Sequence, residues 1–89
     1  MQVLYTPGHT LDSVTYYCKE HKVAFVGDLI FRESVGRTDL QGGDGKELER
    51  SILNQIYTLP EETILYPGHG EPTTVGHEKQ SNPYVRAVR

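Results

Sequence analysis

Three short stretches of the chain share one design: "VLYTPGHT", "VAFVGDLIF" and "TILYPGHG". Each is an apolar run that ends in a glycine and then presents a side chain able to hold a metal, namely His9, Asp28 and His69. Two imidazoles and a carboxylate form a donor set suited to Zn2+ or another first-row ion. A carboxylate placed directly after an apolar run also calls for a partner, because burying an unpaired charge is expensive. If the three runs are neighbouring strands of one sheet, the three groups meet at one end of it.

The same residue types have simpler uses, and these stay open at this stage. An isolated histidine in a small domain is more often a surface or hydrogen-bonded residue, and His21 in the charged "KEHK" turn and His77 beside Glu78 are read that way. Asp28, taken alone, has the alternative role of a turn or cap carboxylate bonded to backbone N–H groups. Asp12 caps or turns the chain. Cys18 is read as a small core residue because it alternates with Val14 and Tyr16, and the Tyr16–Tyr17 pair as strand packing.

The elements that must position these groups follow from periodicity and punctuation. Strands are expected near 2–5, 13–19, 23–27 and 63–66, with "EHK" as a hairpin turn and "VAFVG" buried on both faces. Residues 32–45, "RESVGRTDLQGGDG", read as a long ordered loop over a site. Asp44 followed by Glu47 is an aspartate version of the capping box. Leu48, Ile52, Ile56 and Leu59 then recur at helical spacing, predicting a helix near 45–59 that Pro60 stops. "EKQSNPYVRAVR" is expected to form a short helix interrupted or started near Asn82–Pro83. The order is β, β, β, α, β, α, an α/β chain with one mixed sheet.

Composition excludes several classes of function. The 89 residues allow one small domain, and a net charge of −3 without a basic cluster argues against a nucleic-acid partner. No apolar run is long enough for a membrane span, so no membrane partner is expected. A single cysteine rules out an intrachain disulfide framework and fits a reducing compartment. The N-terminus lacks the pattern of a signal peptide, and the cytoplasm is the expected location.

The segments "TPGHTLDSV", "FVGDLIF", "SVGRTDLQGGD", "LYPGHGEPTTVGHEK" and "NP" run in family order along nearly the whole chain. Together they closely resemble the second half of a metallo-β-lactamase-fold hydrolase of the hydroxyacylglutathione hydrolase (glyoxalase II) type. The resemblance implies half of an αββα sandwich, one mixed sheet with flanking helices. It also implies metal ligation by His9, Asp28 and His69, with Asp28 bridging two ions. Those ions would be Zn2+, two per complete site in the family, with Fe or Mn as alternatives. The family's N-terminal Thr-His-x-His-x-Asp-His segment, which carries further ligands, is not found here. Residues 1–89 are accordingly expected to form the C-terminal half of such a domain, with an incomplete metal site.

For the intact relative, the resemblance implies hydrolysis of a small-molecule thioester or ester by a metal-bound hydroxide, with Asp28 holding the metal pair. Arg37, Thr38 and Asp39 of "GRTD" are expected to fix their loop rather than take part in chemistry. His9 and His69 are each expected to need an acceptor for the second ring nitrogen. Two alternatives are carried: an iron-dependent persulfide dioxygenase of the same fold, and a non-catalytic half-domain that oligomerises. The isolated chain is expected to be inactive, and either to form a homo-oligomer or to require the missing N-terminal half.

Overall fold

The computed structural model describes residues 1–10, 13–38 and 44–85. Asp12, Asp39 and the last residues of "YVRAVR" therefore lie outside the described residues. A five-stranded mixed sheet runs in the order β1 (Gln2–Tyr5), β2 (Val14–Cys18), β3 (Val23–Gly27), β6 (Ile64–Pro67), β7 (Thr73–Thr74). A separate two-stranded hairpin is formed by β4 (Ile30–Phe31) and β5 (Ser34–Val35).

The strand directions decide where the chemistry can sit. β1 and β3 are each antiparallel to β2, and β6 is parallel to β3. Hence β1, β3 and β6 all run the same way, and the residues that follow them emerge at one end of the sheet. The order also confirms the mixed sheet that the element order suggested.

One face of the sheet is covered. Ala24 and Val26 of β3, Leu65 of β6 and Tyr17 of β2 pack with Leu48, Ile52 and Ile56, all of them buried. Those last three are the helical stripe read from the sequence, and burying each contributes about 1.5–3 kcal/mol relative to exposure. Their helix has two parts. α1 (Gly45–Ser51) passes into a wider π-helical turn at Ile52–Ile56, closed by Tyr57 N–H donating to the Ile52 carbonyl at 2.8 Å. Asp44 caps α1 as expected, accepting from Lys46 N–H and Glu47 N–H. The reciprocal half of the capping box does not form. The Asp44 N–H instead donates to the Gly8 carbonyl at 2.8 Å, and Glu47 pairs with Arg50.

The other face leaves several large apolar side chains exposed, which corrects two sequence expectations. β3 is not buried on both faces: Ala24 and Val26 point inward, while Phe25 is 45% exposed. In β2 the inward side chains are Thr15 and Tyr17, so Cys18 lies on the outer face with Val14 and Tyr16 and is only half-buried. The register aligns Val3, Tyr16, Phe25 and Tyr66 in one row across four strands, at 58%, 46%, 45% and 38% exposure. Phe25 and Tyr66 stack at 5.6 Å. A run of period two and a run of continuous apolar residues look alike when both faces of a strand carry large apolar side chains. That ambiguity hid the bare face.

The remaining differences are local. The 32–45 segment is not all loop, since it begins with the β4–β5 hairpin. The second helix, α2 (Val75–Ser81), precedes Asn82 rather than starting there, capped by Thr74 Oγ1 accepting from His77 N–H.

Candidate metal centre

Each of the two Pro-Gly-His turns is pinned before its histidine is placed. In the first, Ser51 Oγ donates to the Pro7 carbonyl at 2.6 Å and Asp44 N–H to the Gly8 carbonyl, fastening the turn to the start of α1. Gly8 has φ of +145°, and a Cβ there would lie 2.3 Å from Leu48 Cα, so only glycine permits this approach of loop to helix. In the second, Gly68 N–H donates to the Gly27 carbonyl at 2.8 Å, joining the ends of β6 and β3. A Cβ on Gly68 would meet Asp28 Oδ1 at 2.8 Å. The glycine of this motif is therefore the room in which the Asp28 carboxylate sits.

His9, Asp28 and His69 come together at the shared end of β1, β3 and β6. Asp28 Oδ2 lies 3.6 Å from His9 Nε2, and Asp28 Oδ1 lies 3.5 Å from His69 Nδ1. The carboxylate thus offers a different oxygen to each imidazole. No group of three His, Cys, Asp or Glu side chains among the described residues closes around a single point to hold an ion. The arrangement is two adjoining pairs that share one carboxylate.

The position of one His9 proton follows from the nitrogen that faces away from Asp28. Nδ1 donates to the Arg37 carbonyl at 2.8 Å, and since a carbonyl only accepts, Nδ1 must carry the proton. In the neutral ring Nε2 then presents a lone pair to a carboxylate oxygen. A ring nitrogen and a carboxylate oxygen 3.6 Å apart leave a place that suits a cation between or beside them. The donor chemistry and this polarity fit a metal.

A cleft of about 300 Å3 opens over the three groups, lined also by Phe31, Ser34, Val35, Gly36 and Arg37. His9 is mostly buried in its wall and His69 largely exposed. The Phe31 ring lies against the His69 ring with centroids 4.8 Å apart. Arg37 enters the site through its backbone carbonyl, a role that its side-chain type did not announce. Sequence reasoning also missed the hairpin carrying Phe31 and Ser34. Its two-residue turn, Arg32–Glu33, places Glu33 at φ of +58°, where a glycine or asparagine would have given the usual signal. His21 is exposed in its turn, as expected. His77 takes no part in the centre and bonds Glu33 at 2.8 Å.

Comparison with known proteins identifies the family of the fold. The sequence profile of the metallo-beta-lactamase superfamily matches residues 1–69. A probable metallo-hydrolase of Bacillus subtilis is 42% identical over 85 residues, covering 96% of this chain and 40% of that protein. A hydroxyacylglutathione hydrolase of Haemophilus influenzae is 41% identical over 86 residues, covering 97% and 41%. Among solved structures, the B3 metallo-beta-lactamase BLEG-1 superposes with a TM-score of 0.92 at 50% identity, covering 94% of this chain and 40% of that one. A protein crystallised in a di-iron-bound form gives 0.90 at 48% identity, covering 94% and 42%. ETHE1 from Myxococcus xanthus gives 0.87 at 42% identity, covering 92% and 37%. The chain spans about two fifths of the length of these relatives. With a matching profile over most of its length and the fold of these structures, the chain belongs to the metallo-beta-lactamase superfamily.

Proposed function

We propose that His9, Asp28 and His69 form the C-terminal part of a two-metal hydrolytic centre, with Zn2+ as the resident ion, acting on a small-molecule thioester or ester. The observation that carries this reading is the pair of contacts from one carboxylate to two imidazoles, one through each oxygen. Bound metal ions supply a water of lowered pKa and polarise the acyl carbonyl. Asp28 would offer one carboxylate oxygen to each of the two positions. His9, held by Arg37, and His69, backed by Phe31, each give one imidazole to one position.

In this reading the remaining donors come from polypeptide outside these 89 residues, which also covers the bare row Val3, Tyr16, Phe25 and Tyr66. Without that polypeptide the chain pairs with a second copy through the same face. A cytoplasmic setting belongs to the proposal; among the described residues no helix is long and apolar enough to cross a membrane.

The likeness to ETHE1 fits a second reading, an iron-dependent persulfide dioxygenase. One experiment separates the two. The chain, embedded in its longer parent, is loaded in turn with Zn2+, Fe2+ or Mn2+ and assayed for release of thiol from an acyl-glutathione thioester and for oxygen uptake with a glutathione persulfide. Thiol release with Zn2+ that Asp28→Ala abolishes supports the hydrolase. Oxygen uptake with Fe2+ alone, and no thiol release, selects the dioxygenase.

A further inference from the structure

We infer that Glu78 and Asn82, two buried residues of the "GHEKQSNP" segment, are positioning residues of this centre. They act by anchoring the β4–β5 hairpin that walls it, and the inference rests on the metal-centre reading above. Both side chains are fully buried. A fully buried carboxylate is costly unless its oxygens are satisfied, and Glu78 is satisfied from three directions. Its Oε1 accepts from the Glu33 N–H at 3.0 Å and from Asn82 Nδ2 at 2.9 Å, and its Oε2 accepts from Thr73 Oγ1 at 2.6 Å.

Asn82 completes the anchor. Its Nδ2 also donates to the Ser34 carbonyl at 3.1 Å, while its Oδ1 accepts from Tyr84 N–H and Val85 N–H. Two of these bonds therefore hold adjacent backbone groups of the hairpin, Glu33 N–H and Ser34 C=O. Thr73 ties the same carboxylate to the edge strand of the main sheet. A hairpin with only two residues in each strand does not hold its own shape, and the positive φ of Glu33 adds strain at its tip. The buried Ile30 seats one strand in the core, and the Glu78–Asn82 pair holds the turn and the start of the other.

What the anchored hairpin delivers is the second layer of the centre. Phe31, paired across the hairpin with Ser34, is the ring against His69. Just after Val35, Gly36 N–H donates to the Leu29 carbonyl, and Arg37 then offers its carbonyl to His9. Loosening the turn frees both imidazoles without touching either. A wholly structural role would instead lower stability and leave the local order of the site in proportion.

The test uses Glu78→Ala, the conservative Glu78→Gln, and Thr73→Val, which removes one bond to Glu78 from the main-sheet side only. Nuclear magnetic resonance of the His69 ring protons reports the Phe31 ring over it, hydrogen exchange at Gly36 reports hairpin order, and Zn2+ titration reports the centre. Urea unfolding places the variants on a common stability scale. In Glu78→Ala the ring-current displacement of His69 is expected to be lost, with Gly36 exchange about tenfold faster and Zn2+ affinity about tenfold weaker. Glu78→Gln restores all three, and Thr73→Val keeps them at matched stability. If Glu78→Ala shifts neither His69 nor Gly36 beyond what Thr73→Val does, or if Glu78→Gln fails to restore them, the anchoring role is wrong. If the unmodified chain in its longer parent takes up no Zn2+, the metal-centre reading fails on its own, and the resonance and exchange measurements still decide the anchor.

Discussion

His9 donates its Nδ1 proton to the carbonyl of Arg37 at 2.8 Å, and this bond decides which ring nitrogen faces Asp28. A backbone carbonyl cannot donate, so Nδ1 carries a proton without reference to the site. Nε2 is then the nitrogen that faces the carboxylate whose other oxygen faces His69.

The first prediction concerns that shared carboxylate. Asp28→Asn keeps the shape and removes the charge, so the chain in its longer parent should lose Zn2+ affinity by at least about tenfold, roughly 1.4 kcal/mol. Isothermal titration measures it, with circular dichroism to show that the fold is retained. Unchanged affinity would remove Asp28 from the centre.

Gly68→Ala tests the room beside Asp28. The new methyl group would meet Oδ1 at 2.8 Å, and the carboxylate must turn away from His69. Metal affinity should fall by about tenfold while the urea midpoint moves little, since Gly68 is exposed and the displaced atom faces solvent in part.

The bare row of the sheet predicts self-association of the 89-residue chain. Leaving several large apolar side chains about half exposed forgoes roughly 1 kcal/mol each, a sizeable share of what a small domain has in reserve. Sedimentation at micromolar concentration should show a dimer, and Phe25→Lys, at the centre of the row, should return it to monomer. A wild-type monomer that unfolds cooperatively would contradict this.

Alkaline pH should weaken the fold through Tyr57. Burial, with the Glu78 charge adding to it, raises this phenol well above its ordinary range. The folded chain keeps a proton that the unfolded chain releases near pH 10, so this contribution is complete below about pH 10 and is lost as pH rises beyond it. Urea unfolding across that range should show the fall. Tyr57→Phe should flatten the slope, at a cost of about 1–3 kcal/mol for leaving the Val85 carbonyl without its hydroxyl, while the Glu78 carbonyl keeps the Asn82 N–H.

Thr63 offers the opposite case. Its Oγ1 is buried with no hydrogen-bond partner among the described residues. Thr63→Val removes the unsatisfied group at nearly constant shape and should be neutral or stabilising by up to about 1–3 kcal/mol, read from the urea midpoint.

The pieces whose signals are local were legible along the chain. The two Pro-Gly-His turns and the Gly-Asp step end their strands by backbone chemistry, Asp44 caps its helix through its own neighbours, and the Leu48–Ile52–Ile56 stripe has a period that only a helix can bury on one side. Residue type and position were thus enough to name His9, Asp28 and His69 as candidates. Tertiary structure decided what depends on distance through space. The parallel course of β1, β3 and β6 carries the three groups to one end, and the gap at Gly68 admits the carboxylate. Which face of β2 and β3 turns inward depends on where the helices pack, because both faces carry apolar side chains. The hairpin, the Arg37 carbonyl and the Glu78–Asn82 anchor had no local signature, since backbone groups look the same in every residue and a buried carboxylate is recognised only by the donors that surround it.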